Sequence, residues 1–253
     1  MFITSYFIRF VAQARLMSGV ILMAGLMTGC DFYSQTIERP NNAAPSATVT
    51  QSAPVRNVDR VTRETSEPYK GDLSIFEDQG RDRKLSINRV MDILRIDAGK
   101  SVADIGAASG WFTVRAARRV GEKGTVFAVD INQEYVDHIA GRAKREGLSN
   151  VRPILGTEDD PRLPPNSIDA VLILKTYHEI GQPILVMKNL RAALRKDGRV
   201  GVIDRNQTPE NDHGVARDTV VSEAAQAGFR LVDEQDFVKP DGMDYLLVFE
   251  ANK

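Results

Sequence analysis

Apolar positions between residues 85 and 250 fall into two patterns, short apolar runs and longer amphipathic stretches. Apolar residues three or four positions apart predict helices, and short apolar runs bounded by turn residues predict buried strands. We predict helices over residues 85–94, 111–120, 133–146, 183–195 and 219–227. We predict strands over residues 101–106, 125–131, 151–155, 168–174, 199–203, 229–237 and 245–250.

Strands alternate with helices in this order, which predicts a doubly wound α/β fold with helices on both faces of the sheet. The almost continuous apolar run over residues 168–174 is typical of a central parallel strand. The last two strands have no helix between them and predict an antiparallel pair. Residues 157–167 contain Pro161, Pro164 and Pro165, so we predict a loop or a single turn at this crossover.

Two of the predicted strands have an aspartate near their carboxyl end, and two glycines follow the first aspartate. The first strand contains the start of Asp104-Ile-Gly106-Ala-Ala-Ser-Gly110, and Asp130 is the next-to-last residue of the second strand. Glycines let the backbone pass close to a ligand, and a carboxylate at a strand end can accept from both hydroxyls of a ribose. The spacing differs from the Gly-x-Gly-x-x-Gly of nicotinamide oxidoreductases, and Asp104 would repel a pyrophosphate. The pattern favours a nucleoside ligand that carries an ammonium group and a sulfonium.

These segments resemble the first motif and the ribose-binding strand end of class I S-adenosylmethionine-dependent methyltransferases. The resemblance covers residues 72–250. It implies a Rossmann-like, mostly parallel sheet of seven strands, with the last strand antiparallel. It implies S-adenosylmethionine as the cofactor, with Asp104 facing the amino-acid end and with Gly106 and Gly110 giving backbone clearance.

The same resemblance assigns cofactor contacts to residues after the second and third strands. Asp130 and Ile131 are expected at the ribose, and Glu158 or Asp159 at the exocyclic amine of the adenine. A solvated acidic loop is the alternative interpretation of these two acids. The family often has glycine at the position of Ala108, and we expect the methyl group of Ala108 to crowd the cofactor.

Residues 175–179, Lys-Thr-Tyr-His-Glu, follow the strand over residues 168–174 and are expected to face the zone of methyl transfer. Displacement at a sulfonium relies chiefly on positioning, and a base is needed only when the acceptor must lose a proton. His178 is the candidate base because histidine titrates near neutral pH, and Tyr177 is a second candidate catalytic residue. The alternative is that both residues only shape the pocket. Glu179, and the Asp204 and His213 regions further along, are candidates to orient or pair with His178.

Composition excludes several other classes of site. The 253 residues carry a net charge of −1 with interspersed signs, so we expect no nucleic-acid partner. One cysteine allows neither an internal disulfide nor a cysteine-based metal cluster, and the three histidines have no ligand spacing, so we expect no metal.

The N-terminal residues are typical of a bacterial lipoprotein signal. Residues 1–15 contain arginines and no acid, and the uncharged run over residues 16–29 is too short for an ordinary membrane span. This region resembles a signal cleaved before a lipid-modified cysteine, here Cys30. An uncleaved anchor or a misassigned start codon is the alternative. Residues 30–71 are then a disordered tether, and residues 72–253 the methyltransferase domain.

The sequence thus predicts a methyltransferase that uses S-adenosylmethionine on an unidentified, small-molecule acceptor. The lipid would hold it at the periplasmic face of a membrane, and Asp31 after the cysteine favours the inner membrane. A cytoplasmic enzyme follows if the start codon is misassigned. Because S-adenosylmethionine is made in the cytoplasm, a non-catalytic nucleoside-binding module of the cell envelope is the alternative function. The oligomeric state is not predicted.

Overall fold

The computed structural model describes residues 62, 63, 65, 68–207, 213–238 and 243–253. The expected signal peptide, Cys30 and most of the expected tether lie outside the described residues. In the part of the chain that is described, no helix is long and apolar enough to cross a membrane.

The described residues form one sheet of seven strands, and its topology confirms the predicted fold. The strands are β1 (Ser101–Ile105), β2 (Thr125–Asp130), β3 (Val151–Leu155), β4 (Ile168–Leu174), β5 (Leu194–Arg205), β6 (Phe229–Gln235) and β7 (Asp244–Ala251). Their order across the sheet is β3-β2-β1-β4-β5-β7-β6. Neighbours among β1 to β5 are parallel, whereas β7 is antiparallel to both β5 and β6.

Helices cover both faces of this sheet. They are α1 (Arg81–Lys84), α2 (Ile87–Ile93), α3 (Trp111–Val120), α4 (Gln133–Arg145), α5 (Pro183–Ala193) and α6 (Arg217–Gln226). Asn132 caps α4 by accepting from the Glu134 amide at 2.9 Å. Proline begins α5, at a position where the missing N–H removes no helical hydrogen bond. Residues 157–167 contain no regular element, as their prolines predict.

The predicted helices over residues 85–94 and 183–195 are longer than the helices observed there. The first is interrupted by Ser86, whose φ of 48° is left-handed. The break lets both Leu85 and Ile87 reach the core, whereas positions i and i+2 of one helix face different ways. The second helix ends at Ala193 because Leu194 already pairs with Ile168 of β4.

Two apolar clusters pack on opposite faces of the sheet. One contains side chains of α2, α3 and α4, and the other contains side chains of α5 and α6. Along β4, Leu172 faces the first cluster, while Val171 and Ile173 face the second. This alternation has the two-residue period of a strand, and it explains why β4 is apolar throughout.

Residues before position 72, the predicted start of the domain, make hydrogen bonds to it. The amide of Arg63 donates to the Gly181 carbonyl at 3.1 Å, and Tyr135 Oη donates to the Tyr69 carbonyl at 3.0 Å. The sequence of this region has few large apolar residues, so hydrophobic patterning alone gave no reason to place it on the domain. Polar contacts hold it there instead. We call the described residues among 62–77 the N-terminal segment.

Candidate active site

A cavity of about 1080 Å³ lies at the carboxyl ends of the central strands. All four regions that the sequence indicated contribute to its wall, namely the loop after β1, the end of β2, the loop after β3 and the residues after β4. Ligands of open α/β sheets bind at this edge, where the strand order reverses. Small-molecule pockets typically measure about 300–1,000 Å³, so this cavity is at the upper end of that range.

Asp104 lies at the end of β1 and is only 2% exposed. Its Oδ2 accepts from Thr113 Oγ1 at 2.6 Å, and Thr113 is itself buried in the first turns of α3. Burial raises the pKa of Asp104 to about 6, against a smaller opposing effect of that hydrogen bond. A buried carboxylate facing a cavity is a natural partner for a ligand cation, because pairing offsets its lost hydration.

The two glycines of the loop that follows have different surroundings. Gly106 lines the cavity with a φ of +70°, and a Cβ there would lie 2.3 Å from the Thr176 side chain. Gly110 has a φ of +74° and does not line the cavity; a Cβ there would approach Ile139 of α4 at 3.3 Å. The clearance predicted for Gly110 therefore concerns the packing of α4. Ala108 holds a left-handed φ of 46° without being glycine.

Asp130 closes this loop onto β2. Its Oδ2 accepts from the Ala108 amide at 2.9 Å, and its Oδ1 accepts from the Asn132 amide at 3.0 Å. Burial raises the pKa of Asp130. A carboxylate has about four acceptor positions, so these two bonds leave capacity for hydroxyl groups of a ligand. Ile131 follows, 44% exposed, and its side chain adds an apolar part of the wall.

The two acids after β3 have different positions. Glu158 is exposed and lines the cavity, which is where a contact to a ligand amine would require it. Asp159 does not line the cavity; it accepts from Thr157 Oγ1 at 2.8 Å, and its carbonyl accepts from Asn189 at 2.9 Å. Of the two predicted alternatives, only Glu158 is placed at the site.

His178 and Tyr177 lie in the same short 3-10 turn after β4, but only His178 faces the cavity. The Tyr177 ring is fully buried in the second apolar cluster, with the Arg63 guanidinium 5.4 Å from its centroid. Burial raises the pKa of Tyr177 well above its ordinary value. This placement argues against Tyr177 as a catalytic residue and makes it a support for the turn.

The His178 ring is held by Asp204 at the end of β5. Nδ1 lies 2.9 and 3.0 Å from the two carboxylate oxygens, and the backbone amide of His178 donates to Oδ2 at 3.0 Å. Of the candidate orienters, Asp204 therefore makes the direct contact. Glu179 stands 3.9 Å from Nε2, and the His213 ring packs edge-on with its centroid 4.4 Å away. Burial raises the pKa of Glu179.

Three residues near the site were missed by the sequence reasoning. Arg81 lines the cavity and stacks on the Trp111 ring, 4.5 Å from its centroid, while Arg115 stacks at 4.0 Å. Thr113 supports Asp104, and a polar residue on the buried face of α3 could have indicated this role. No local pattern marks Arg81 as a site residue, because the ring on which it stacks, Trp111, is 30 residues further along the chain.

Fold and cavity together define the class of protein: a Rossmann-like methyltransferase, with a ligand site at the carboxyl ends of its strands. The chain belongs to the family described as “Methyltransferase domain”, which residues 96–237 match, more than half of its length. The sequence motifs predicted a transferase that uses S-adenosylmethionine, and enzymes of that kind have this fold. A crystal structure of a SAM dependent methyltransferase from Aquifex aeolicus shares it, with a TM-score of 0.63 at 22% identity. That match covers 71% of this chain and 98% of the other.

Curated relatives match a shorter region. A nocamycin O-methyltransferase of Saccharothrix syringae is 32% identical over 114 residues, which are 45% of this chain and 41% of the relative. A demethylmenaquinone methyltransferase of Lactobacillus johnsonii is 28% identical over 116 residues, which are 45% of this chain and 47% of the relative. The chain thus matches less than half the length of these relatives.

Proposed function

We propose that this chain transfers a methyl group from S-adenosylmethionine to a small molecule bound in the cavity. The observation that carries the proposal is the pair of buried carboxylates at neighbouring strand ends. Asp104 and Asp130 both line the cavity, and both have a pKa raised by burial. Such carboxylates are costly in an empty site and are stabilised by a ligand that brings a cation and hydroxyl donors.

The residues present fit this cofactor. Asp104 would hold the ammonium group of its amino-acid end, Asp130 the ribose hydroxyls and Glu158 the adenine amine. When bound, the cofactor supplies a methyl group on a positively charged sulfur. The loop over residues 106–109 would bring backbone and small side chains against it, since Gly106 and Ala108 both line the cavity.

Two observations support a small acceptor. The N-terminal segment contributes Tyr69, Ile75 and Phe76 to the cavity wall, in addition to the loops at the strand ends. Two of the relatives are named for small acceptors, a nocamycin O-methyltransferase and a demethylmenaquinone methyltransferase.

Calorimetry of the full chain tests the proposal. We expect binding of S-adenosylmethionine and of its demethylated product, and no binding of NAD. Preferential binding of NAD would contradict the proposal. Tight cofactor binding without methylation of any small-molecule acceptor, and without slow hydrolysis or automethylation, would favour a non-catalytic binding module.

We also propose that a lipid on Cys30 anchors the domain in the cell envelope. The support is the pattern of residues 1–30, an arginine-containing start, a short uncharged run and small residues before the cysteine. An anchor of two or three acyl chains would hold the protein stably at a membrane, whereas membrane binding through a single acyl chain is marginal. An exported enzyme must obtain its cofactor outside the cytoplasm, and a cytoplasmic location of the natural protein would remove that requirement.

A further inference from the structure

The 3-10 turn over Leu73–Phe76 leaves three large apolar side chains outside the core. The turn has the sequence Leu-Ser-Ile-Phe and contains no buried residue. Ile75 is 58% exposed, the highest value of any large apolar side chain in the described part of the chain, and Tyr69 just before the turn is 36% exposed. Single exposed apolar residues are common on soluble proteins, whereas a cluster of them marks a surface that meets an apolar partner. We call Tyr69 and residues 73–76 the apolar rim.

Contacts on both sides of the turn hold the apolar rim in this position. The Tyr69 ring packs edge-on against Phe76, with 5.4 Å between the ring centroids, and the Tyr69 carbonyl accepts from Tyr135 Oη of α4. Glu77, directly after the turn, forms an ion pair with Arg142 of α4 at 2.6 Å. The exposure of the apolar side chains is therefore a property of the folded domain.

The apolar rim lies at the mouth of the cavity. Tyr69, Ile75 and Phe76 all line the cavity, and Tyr69 and Ile75 are also exposed to solvent. Ile131 is the third exposed large apolar residue in the described ranges, and the predicted cofactor contact explains its exposure. No cofactor contact is predicted for the rim, so its exposure points to a different partner.

The chain enters the domain beside this mouth. Thr62 and Arg63, the first residues that the structure describes, line the same cavity. Residues 31–61 separate them from Cys30, the proposed site of the lipid. A flexible chain of that length spans on the order of 30 Å, which is about the diameter of a small domain. A lipid on Cys30 therefore keeps the mouth of the cavity within reach of a bilayer.

The composition of residues 31–61 argues against this stretch as the cover of the rim. Apart from valines, its large apolar residues are Phe32, Tyr33 and Ile37, and all three lie next to the proposed lipid. The charges near the rim are balanced, because residues 69–84 contain four basic and four acidic side chains. Apolar contact, and not charge, would therefore decide what the rim binds.

We propose that the apolar rim docks on a lipid bilayer, so that the cavity opens toward the membrane. Leu73 and Ile75 would enter the boundary of the hydrocarbon, and Tyr69 would lie at the level of the headgroups, where an aromatic ring with a polar end is stable. An acceptor would then reach the site from the lipid phase. The inference rests on the proposed anchor, which provides the proximity, and is independent of the proposed methyl transfer.

A spin-labelled lipid tests the docking of the full chain on phosphatidylcholine nanodiscs. A nitroxide on the lipid tail broadens the NMR signals of methyl groups that lie close to the bilayer. We expect the Ile75 methyl signals to be lost and the signal of Ala192, an exposed residue of α5 outside the cavity wall, to be unchanged. Discs of phosphatidylglycerol should give the same result, because the rim region has no net charge.

Ile75→Ser should lower the ratio of docked to undocked domain about tenfold or more, because the isoleucine side chain no longer leaves water. The Leu73 methyl signals measure this ratio in the variant. Ala192→Ser is the matched control and should retain the docking. Thermal unfolding of both variants shows whether they are folded, and the measurement on the unmutated chain depends on neither of them.

Sharp Ile75 signals in a chain that is bound to the discs, equal broadening at Ala192, or a chain that does not bind the discs would each overturn the inference. Broadening that needs no spin label and grows with protein concentration would assign the rim to a second copy of the chain, and it would overturn the inference as well. If docking is seen but S-adenosylmethionine does not bind in calorimetry, the docking stands and the proposed methyl transfer fails.

Discussion

Arg63 and Glu223 are 160 residues apart in the sequence and form an ion pair, with 3.2 Å between Nη1 and Oε2. Nη2 of the same guanidinium donates to the Tyr177 carbonyl at 2.7 Å and to the Ile180 carbonyl at 3.3 Å. Arg63 therefore holds both ends of the turn that carries His178. The N-terminal segment is a structural part of the site.

Removing the Arg63 side chain should destabilise the domain and loosen this turn. Arg63→Ala leaves the Glu223 carboxylate, whose side chain is 8% exposed, without its cation. Charged hydrogen bonds contribute about 1.5–3 kcal/mol, so we expect a loss of that order in the free energy of unfolding. Denaturant unfolding measures it. Arg83→Ala, at an exposed position of α1, is the control and should change stability little. An equal effect of the two substitutions would remove the assigned role of Arg63.

Asp104 should make the unliganded domain less stable at neutral pH than at acidic pH. Its pKa rises from 3.8 to about 6 in the folded state, so the folded protein binds the proton more tightly than the unfolded chain. The stabilisation from this group is complete below about pH 4, is lost as pH rises through 6, and stays absent above.

Asp104→Asn should therefore raise the unfolding free energy at pH 7 by on the order of 2–3 kcal/mol. It should also weaken binding of S-adenosylmethionine, because the ligand cation loses its partner. Unfolding from pH 4 to 8 and calorimetry check the two effects. A variant that is less stable than the original protein at pH 7 would contradict the assigned cost of this buried charge.

Asp130→Ala should weaken cofactor binding by at least about tenfold, since each charge-assisted hydrogen bond contributes about 1.5–3 kcal/mol. The variant also leaves the Ala108 and Asn132 amides without the carboxylate to which they donate. Thermal unfolding is therefore measured beside the calorimetry, to show that the variant remains folded. Asp159→Ala is the matched control, because that carboxylate lies outside the cavity wall. Equal affinity in the Asp130 variant and the original protein would exclude Asp130 from the cofactor site.

Ala108→Gly should stabilise the domain by up to about 1 kcal/mol. A left-handed φ costs an L-residue about 1–2 kcal/mol, and the greater freedom of glycine in the unfolded chain offsets part of that gain. Cofactor binding should stay equal or tighten. Ala107→Gly is the control, since Ala107 has no left-handed φ and should lose stability. Weaker binding in a folded Ala108→Gly protein would mean that the methyl group contributes to the site.

Cys30→Ser should abolish lipid labelling and leave an uncleaved precursor. Cys30 is the only cysteine of the chain, so no other thiol can take the diacylglycerol. Labelling with a radioactive fatty acid, followed by membrane fractionation, measures both outcomes. Labelling that persists in the variant, or a wholly soluble original protein, would contradict the proposed anchor.

The strand ends and their carboxylates could be predicted from the sequence because they follow from local patterns. Asp104 and Asp130 lie in strands that pair side by side, and parallel strands place their carboxyl ends at one edge. The difference between His178 and Tyr177 could not be predicted, since the geometry of one short turn decides which side chain faces the cavity. The end of α5 depended on the pairing of Leu194 with β4, a contact between distant residues.

The position of Arg63 has a consequence for the order of folding. Its partners Tyr177 and Glu223 follow it by 114 and 160 residues, so the ribosome makes Arg63 long before either of them. The pairs β1–β2 and β2–β3 join strands much closer in sequence and need no residue of the N-terminal segment. Contacts between distant residues close later than local ones. We therefore expect the N-terminal segment to dock after these strands have paired, and hydrogen exchange at the Arg63 amide should report its undocking separately from unfolding of the sheet.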